Sequence, residues 1–321
     1  MISVDSDCRD PILGPILVTG GAGFIGWNLV KALRDRGEDV LAVDDFSASP
    51  WPERPDGVAV RDVGSLSALE LRDIRAVVHL ACRKVVPTSF VDREQMVGNI
   101  RIDRHLVGLL TEIKPRIAIL ASSCEVYGDQ QRRLGEDAPL RPRSPYAVGK
   151  VAMELLVDVY RPLAATPICV ARLFNTYGPG EGVDAVVPRF VDEALRLGQV
   201  LIEGSGEQRR DFTYVDDVVS ALIGLLAAPH PPQVVNIGSG VSLSINELAA
   251  RVAKAVGGVR IAHGRARPNE ITDFVADTRL LRSVLPNWRP ATGIDAGLHS
   301  CIAWQRALNT RLPLSGEGRA A

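Results

Sequence analysis

The fold is decided at residues 16–26, ILVTGGAGFIG, which predict a buried strand, a glycine-rich loop and the first turn of a helix. Glycines at positions 20, 23 and 26 let the backbone turn tightly and approach a dinucleotide pyrophosphate closely. That pyrophosphate would rest at the helix N-terminus, where unpaired N–H groups and the helix dipole favour an anion. The predicted dinucleotide contacts in this segment are Gly20, Gly23, Phe24, Ile25 and Gly26.

An acidic residue about 20 residues further along makes this pattern more specific than the glycines alone. Asp44 ends the second predicted strand, and its carboxylate would accept hydrogen bonds from the adenosine ribose. A carboxylate at that place repels a 2′-phosphate, so the predicted cofactor is NAD and not NADP. The alternative is that the glycines form an ordinary tight turn and that Asp44 is a surface acid.

Short apolar runs alternate with helical stretches along the first half of the chain. The predicted strands are residues 16–19, 40–44, 58–61, 76–81, 117–121 and 168–173. The predicted helices between them are residues 24–36, 94–113 and 145–159. This alternation indicates an α/β protein with a Rossmann-type, doubly wound parallel sheet that is covered on both faces.

The alternation changes beyond about Asn175 and predicts a second, smaller α/β lobe that binds the substrate. A helix is predicted at 187–197, a strand at 200–203, and a further helix that begins with a Ser244–Glu247 capping box and ends at 256. We therefore expect an NAD-binding domain at 1–175, joined by 212–237, a substrate lobe at 176–211 and 238–310, and a flexible tail at 311–321.

Composition and charge exclude several classes of protein. With 46% hydrophobic residues, 23% charged residues and a net charge of −1, the chain has the composition of a soluble globular protein that does not bind nucleic acid or anionic membranes. It has no apolar span of about 18 residues and no secretory signal, so no transmembrane helix is expected. The cysteines lack the spacing of disulfide frameworks or zinc sites, which predicts no metal and a cytoplasmic location: Cys8, Cys82, Cys124, Cys169 and Cys301.

Tyr146 and Lys150 stand four residues apart and share one face of the helix that is predicted to follow Ser144. A free tyrosine has a pKa of about 10, and lowering it by about three units requires roughly 4 kcal/mol. The Lys150 ammonium and a positive nicotinamide can supply this in a desolvated site, and Lys150 would also hold the nicotinamide ribose. The pair therefore indicates proton transfer coupled to hydride transfer. The alternative is a buried tyrosine beside a solvated lysine.

Further motifs follow in order along nearly the whole chain: HLA at 79–81, SS..VYG at 122–128, PYAVGK at 145–150, RLFNTYGP at 172–179, RRDFTYVDDV at 209–218 and NIGSG at 236–240. Together they resemble the extended short-chain dehydrogenase/reductase family, in particular its NAD-dependent nucleotide-sugar epimerases, dehydratases and decarboxylases. The resemblance implies an NAD-binding Rossmann domain, a C-terminal lobe that grips an NDP-sugar, with UDP as the expected nucleotide, and a homodimer through helices at about 94–113 and 145–160.

The resemblance also assigns roles to single residues. Ser123 matches the serine or threonine that hydrogen-bonds the sugar 4-hydroxyl beside Tyr146. Asp62 resembles an aspartate near the adenine, and Asn99 an asparagine near the nicotinamide. Asn175, Arg210 and Arg267 resemble residues on the sugar-nucleotide diphosphate, which guanidinium forks suit, although both arginines could be ordinary surface residues. The other candidates are Val63, Leu80 and Ala81 for the cofactor and Lys84 and Val187 for the substrate.

Cys124 and Glu125 directly follow the predicted catalytic serine. In simple 4-epimerases these two places usually hold small or unreactive residues, whereas dehydratases and decarboxylases carry the glutamate. An ordinary glutamate has a pKa of about 4.3 and could take the proton from C5 of a 4-keto sugar, and an ordinary cysteine, with a pKa of about 8.5, could protonate the leaving 6-hydroxyl. The alternatives are a structural carboxylate and a small, inert filler of the strand end.

The Ser-Cys-Glu triplet resembles the NDP-hexosamine 5,6-dehydratases of tunicamycin biosynthesis, an antibiotic pathway. These form a 5,6-unsaturated exo-glycal from UDP-GlcNAc, with the hydride returned to C4. We therefore predict a lyase of this kind, an NAD-dependent UDP-GlcNAc 5,6-dehydratase. The alternatives are an NDP-sugar 4,6-dehydratase, a 4-epimerase and a UDP-glucuronate decarboxylase. A non-catalytic NAD sensor is a remote alternative, because such proteins typically lose the tyrosine or lysine that this chain keeps.

Overall fold

The computed structural model of the protein describes residues 14–130, 133–266 and 271–311. The strands of this part are β1 (Ile16–Thr19), β2 (Val40–Asp44), β3 (Val58–Val60), β4 (Ala76–His79), β5 (Ile117–Ser123), β6 (Arg133–Leu134), β7 (Ile168–Leu173), β8 (Asn175–Tyr177), β9 (Gln199–Glu203), β10 (Arg209–Tyr214), β11 (Val234–Ile237), β12 (Ser242–Ser244), β13 (Arg260–Gly264) and β14 (Asp273–Ala276). The helices are α1 (Phe24–Asp35), α2 (Val86–Ser89), α3 (Arg93–Ile113), α4 (Pro145–Tyr160), α5 (Val186–Leu197), α6 (Val215–Ala227), α7 (Ile245–Val256), α8 (Arg279–Val284) and α9 (Ile294–Arg311). Residues 312–321 of the predicted tail lie outside the described residues.

A seven-stranded parallel sheet in the order β3-β2-β1-β4-β5-β7-β11 confirms the predicted Rossmann fold. Strands β1, β4 and β5 are buried at every residue, as their unbroken apolar sequences predict. The strand order reverses between β1 and β4. Ligands of such sheets bind in the crevice at the carboxyl ends of these strands.

Side chains that alternate along each strand build two separate cores. Ile16 and Val18 of β1 pack on the side of α1 and α6, and Leu17 packs on the side of α3 and α4. Both faces of the sheet are therefore covered by helices, which is the doubly wound arrangement.

Strand β5 extends two residues beyond its predicted end at Ala121. Ser122 and Ser123 pair with Arg172 and Leu173 of β7, so the ladder continues past the apolar run. Strand β4 is shorter than predicted and ends at His79, because the chain turns after it towards the glycine loop. Both strands therefore end in a polar residue, His79 and Ser123, at the carboxyl edge of the sheet.

The later part of the chain forms smaller sheets beside this edge. Strands β12, β10, β14 and β6 form one path, β8 joins β10, and β9 pairs with β13. Helix α7 begins with the predicted capping box, in which Ser244 and Glu247 bond each other's backbone N–H. Strand β11 pairs with β7 in the large sheet, and the division of the chain into two lobes stays a prediction. Among the described helices, none combines the length and apolar character of a membrane-spanning segment.

Candidate active site

A cavity of about 1490 Å³ lies between the carboxyl edge of the large sheet and the smaller sheets. Every predicted site residue that the structure describes lines it: Gly20, Gly23, Phe24, Ile25, Gly26, Asp44, Asp62, Val63, Leu80, Ala81, Lys84, Asn99, Ser123, Cys124, Glu125, Tyr146, Lys150, Asn175, Val187 and Arg210. Arg267 lies outside the described residues. The structure therefore brings the three predicted groups, for cofactor, chemistry and substrate, to one place.

The glycine loop has the shape that a dinucleotide pyrophosphate needs. Gly20 has a φ of +70°, and a Cβ on it would lie 2.6 Å from the backbone N of Ala81. A Cβ on Gly26 would collide with the carbonyl oxygen of Gly20. Gly23 caps α1 without a side-chain hydrogen bond, and the first turn of α1 carries no acidic residue. The N–H groups of this turn thus remain available for an anion.

The side chain of Asp44 is held beside the glycine loop by hydrogen bonds from backbone N–H groups. Its carboxylate oxygens accept hydrogen bonds from the backbone N of Ala22 at 3.0 Å and of Phe46 at 2.7 Å. Burial raises the pKa of Asp44, while these backbone donors oppose the increase. Asp62 similarly accepts a hydrogen bond from Gly64 N at 2.6 Å and caps the 3₁₀ turn that Val63 begins. Two held carboxylates at the ends of adjacent strands fit the ribose and adenine ends of NAD.

Tyr146 and Lys150 are both buried on α4, and Ser123 lies close enough to Tyr146 to lower its pKa. The Lys150 ammonium donates to the carbonyl oxygen of Ala121 at 2.8 Å. Burial raises the pKa of Tyr146, nearby Cys82 raises it further, and Lys150 lowers it. Lys150 thus lowers the pKa of Tyr146, as predicted, but without a bound cofactor the opposite effect of burial is the larger of the two. A second positive charge, such as the nicotinamide, would lower the pKa of Tyr146 further.

Lys150 has neighbours that no sequence motif indicated. Burial alone would lower its pKa, but Cys82, Asp103 and Tyr146 together raise it, so the ammonium form is favoured. Asp103 also holds a buried chain in which His79 bonds Asp103 at 2.9 Å and Thr19 at 2.6 Å. These contacts tie α3 to β4 and β1 directly below the catalytic pair.

Ser123, Cys124 and Glu125 form the turn from β5 into a short 3₁₀ helix. Ser123 Oγ accepts a hydrogen bond from Glu125 N at 3.2 Å, which places the glutamate at the cavity wall. Cys124 is 4% exposed and packs in an apolar cluster with Phe174 and Phe274. Burial raises the pKa of Cys124 well above its usual range, so its sulfur stays a thiol at neutral pH.

A buried ion pair, also not predicted, joins the catalytic helix to this turn. Glu154 of α4 accepts hydrogen bonds from Arg172 of β7 at 2.7 and 3.0 Å, and from Ser122 Oγ at 2.5 Å. Arg172 also donates to Tyr127 Oη at 2.8 Å, and Tyr127 donates to Asn236 at 2.7 Å. The spacing of Tyr146, Lys150 and Glu154, each four residues apart, was the available sequence signal for this helix face.

Two of the predicted substrate residues, Asn175 and Arg210, belong to strands of the smaller sheets. Asn175 begins β8, and its Oδ1 is buried without a hydrogen-bond partner among the residues that the structure describes. Arg210 of β10 stacks over Phe274, with its guanidinium carbon 5.4 Å from the ring centroid. Asn99, the residue predicted near the nicotinamide, also lines the cavity, and its side-chain amide accepts a hydrogen bond from Arg83 N at 3.0 Å and donates one to Arg83 O at 3.1 Å. Within residues 14–130, 133–266 and 271–311 there is no acidic, histidine or cysteine cluster that could hold a metal ion.

Comparisons with known proteins agree with this geometry. The chain is similar to the solved structure of TunA, an NAD-dependent NDP-hexosamine 5,6-dehydratase involved in tunicamycin biosynthesis, with 40% identity, a TM-score of 0.87 and coverage of 92% of this chain and 98% of TunA. It is similar to MoeE5, solved in complex with UDP-glucuronic acid and NAD, with 36% identity, a TM-score of 0.83 and coverage of 92% and 100%. Among sequences, an uncharacterized UDP-glucose epimerase, YtcB of Bacillus subtilis (strain 168), is 30% identical over 315 residues, which cover 91% of this chain and 98% of the relative.

The NAD dependent epimerase/dehydratase family matches residues 16–238, which include the glycine loop, the catalytic helix and β11. The cofactor is NAD, as the family description and the MoeE5 complex indicate. The chain, an extended short-chain dehydrogenase/reductase, therefore belongs to the NAD-dependent epimerase/dehydratase family of enzymes that act on nucleotide sugars.

Proposed function

We propose that the protein is an NAD-dependent UDP-GlcNAc 5,6-dehydratase that forms a 5,6-unsaturated exo-glycal for antibiotic biosynthesis. The observation that carries the proposal is the position of Glu125 on the wall of the cavity that Tyr146 also lines, with its backbone N–H bonded to Ser123 Oγ. The 40% identity to TunA supports the same class of reaction.

The first step oxidises C4 of the sugar. Tyr146 takes the proton of the 4-hydroxyl, and Ser123 holds the same oxygen through its hydroxyl group. Lys150, kept as an ammonium by its surroundings, favours the tyrosinate that this step requires. Bound NAD supplies the acceptor for the C4 hydride and later its donor, so the reaction is redox-neutral overall.

The second step removes water across C5 and C6. The C4 ketone acidifies the C5 hydrogen, and Glu125 takes this proton as general base. The C5–H electron pair forms the C5–C6 double bond, and the C6–O bond breaks as its oxygen gains a proton from the Cys124 thiol or directly from the protonated Glu125. Where the thiol is the donor, the proton held by Glu125 restores it. Tyr146 then returns its proton to the C4 oxygen when the ketone is reduced, which leaves the exo-glycal and one water.

Two roles of Cys124 follow from its surroundings. Its sulfur is protonated at neutral pH and lines the cavity, which supports proton donation to the leaving hydroxyl. Its packing among apolar side chains supports the role of a filler, because a thiolate left there would be poorly solvated. Arg210 is the positive group that lowers the pKa of this thiol and would stabilise the thiolate.

The test is the product formed from UDP-GlcNAc that carries deuterium at C4. The proposal expects a product that has lost one water and keeps the deuterium at C4. Deuterium at C6 would instead identify a 4,6-dehydratase, and an unchanged mass with inverted C4 a 4-epimerase. Loss of carbon dioxide from UDP-glucuronate, with UDP-GlcNAc untouched, would identify a decarboxylase.

We also propose that the enzyme is a cytoplasmic homodimer that pairs through α3 and α4. Val97 of α3 and Val148, Leu155 and Val159 of α4 are large apolar side chains that are 44–68% exposed in one chain. A second copy of the same helices would cover them. A Leu155→Glu variant that remained dimeric in light scattering would contradict this arrangement. The free cysteines of the described residues support a reducing compartment.

A further inference from the structure

Glu181 places a buried carboxyl group in the cavity wall that the proposed chemistry does not use. It lies in the loop between β8 and α5, and its side chain is only 7% exposed. Oε1 lies 3.8 Å from Lys84 Nζ, whereas Oε2 is buried without a hydrogen-bond partner among the described residues. Burial raises the pKa of Glu181 to about 8, while Lys84 lowers it and Asp184 raises it. At neutral pH the carboxyl group is therefore mostly protonated and has an O–H to donate.

The loop that carries Glu181 is held against the dinucleotide half of the molecule. Gly180 has a φ of +89°, and a Cβ on it would overlap the indole ring of Trp51, which follows β2. Trp51 in turn makes an edge contact with Trp304 of α9, with 5.3 Å between the ring centroids. Glu181 N donates to Gly178 O at 3.2 Å and closes the turn. The loop backbone that carries the carboxyl group is thus held in place.

Lys84 reaches from Glu181 to the glycine loop. Its ammonium lies 5.6 Å from the ring centroid of Phe24, the first residue of α1. This is the helix end whose free N–H groups fit a pyrophosphate. A cation there adds to the attraction for an anion, and a neutral carboxyl group beside it does not oppose that attraction as a carboxylate would.

We propose that Glu181 is a positioning residue that keeps Lys84 over the first turn of α1, so that the 178–182 loop takes part in retaining NAD. The inference requires only that NAD is the cofactor and holds whichever sugar is converted. The reaction transfers a hydride to the cofactor and later takes it back. If the cofactor left between these two transfers, the oxidised sugar could not be reduced again, so a tightly held cofactor is needed.

The experiment measures how fast labelled NAD leaves the purified protein after a chase with excess unlabelled NAD, with no sugar present. The variants are Glu181→Ala, Glu181→Gln, Lys84→Met and the Glu181→Ala/Lys84→Met double variant. Lys84→Met removes the charge but keeps an apolar stem beside Phe24. Arg251→Met is the matched control, because it removes a 2.7 Å ion pair with Asp295 and neither of these two residues lines the cavity.

We expect release to be at least tenfold faster in Lys84→Met, which loses one charge-assisted contact with the cofactor, and in Glu181→Ala, which no longer keeps Lys84 in place to make that contact. Glu181→Gln keeps a donor and an acceptor and should release NAD within about twofold of the wild-type rate. The double variant should be no faster than Lys84→Met, because the two residues act as a unit. A wild-type release rate in folded Lys84→Met or Glu181→Ala, failure of glutamine to rescue, or multiplied effects in the double variant would each overturn the proposal.

Discussion

Replacing Glu181 by glutamine should stabilise the protein, and the gain should grow with pH. The pKa of this buried carboxyl is about 8 in the folded protein, against an ordinary value of 4.5. The pKa of Glu181 is higher in the folded protein than in the unfolded chain. Its contribution to the free energy of unfolding is therefore fully present below pH 4.5 and is lost as the pH rises towards 8. Glutamine does not titrate. The free energy of unfolding of the glutamine variant, relative to that of the wild type, therefore increases by about 1.4 kcal/mol for each pH unit within this window.

Between pH 5 and pH 7 the difference in the free energy of unfolding should rise by about 3 kcal/mol. For a chain of this size that corresponds to roughly 6 °C in melting temperature. Calorimetry at saturating NAD measures it, with both proteins scanned at the same series of pH values. Glu53→Gln, which changes an exposed glutamate, is the matched control and should show no such trend. A constant difference between Glu181→Gln and the wild type across this range would show that the carboxyl does not bind an extra proton on folding, and would refute the reasoning.

Three further substitutions test the catalytic turn and its support. Glu125→Gln should reduce dehydration by at least about 100-fold while C4 oxidation continues, which NADH absorbance at 340 nm would reveal; normal dehydration would exclude Glu125 as the base. Cys124→Ser should lower dehydration by tenfold or more if the thiol is the acid, and near-normal turnover would make it a filler. Glu154→Ala should lower the free energy of unfolding, measured with urea, by about 3–5 kcal/mol, because it leaves the Arg172 charge buried without its carboxylate. The Glu154→Leu/Arg172→Met double variant should lower it by less, and a loss below about 1 kcal/mol in Glu154→Ala would contradict the role of this pair.

The Rossmann half could be predicted from sequence because its signals are local. The glycine loop, the apolar runs of β1, β4 and β7, and the Ser144 cap of α4 each act within a few residues, and their elements formed at or near the predicted bounds. Site residues within these motifs reached the cavity for the same reason. The carboxyl ends of parallel strands meet at one edge, wherever they lie in the chain.

The smaller sheets could not be predicted in this way. Strand β6 has two residues and pairs with β14, which begins about 140 residues later, so no local pattern marks either strand. Glu181 stands in a loop rich in glycine and is conspicuous only because tertiary packing buries it. The dominance of burial over Lys150 in setting the pKa of Tyr146 has the same origin, since the spacing of two residues says nothing about how dry their surroundings are.

The hydrogen-bonded junction of Glu154, Arg172 and Ser122 makes the base of the catalytic helix and the end of β5 one rigid unit. Residues 124 and 125 follow this unit in the chain and line the cavity beside it. A lineage could therefore exchange these two side chains, and with them the fate of the keto sugar, while the oxidising tyrosine and lysine kept their alignment. In the proposed mechanism, the oxidation of C4 and the later fate of the keto sugar therefore depend on separate parts of the structure.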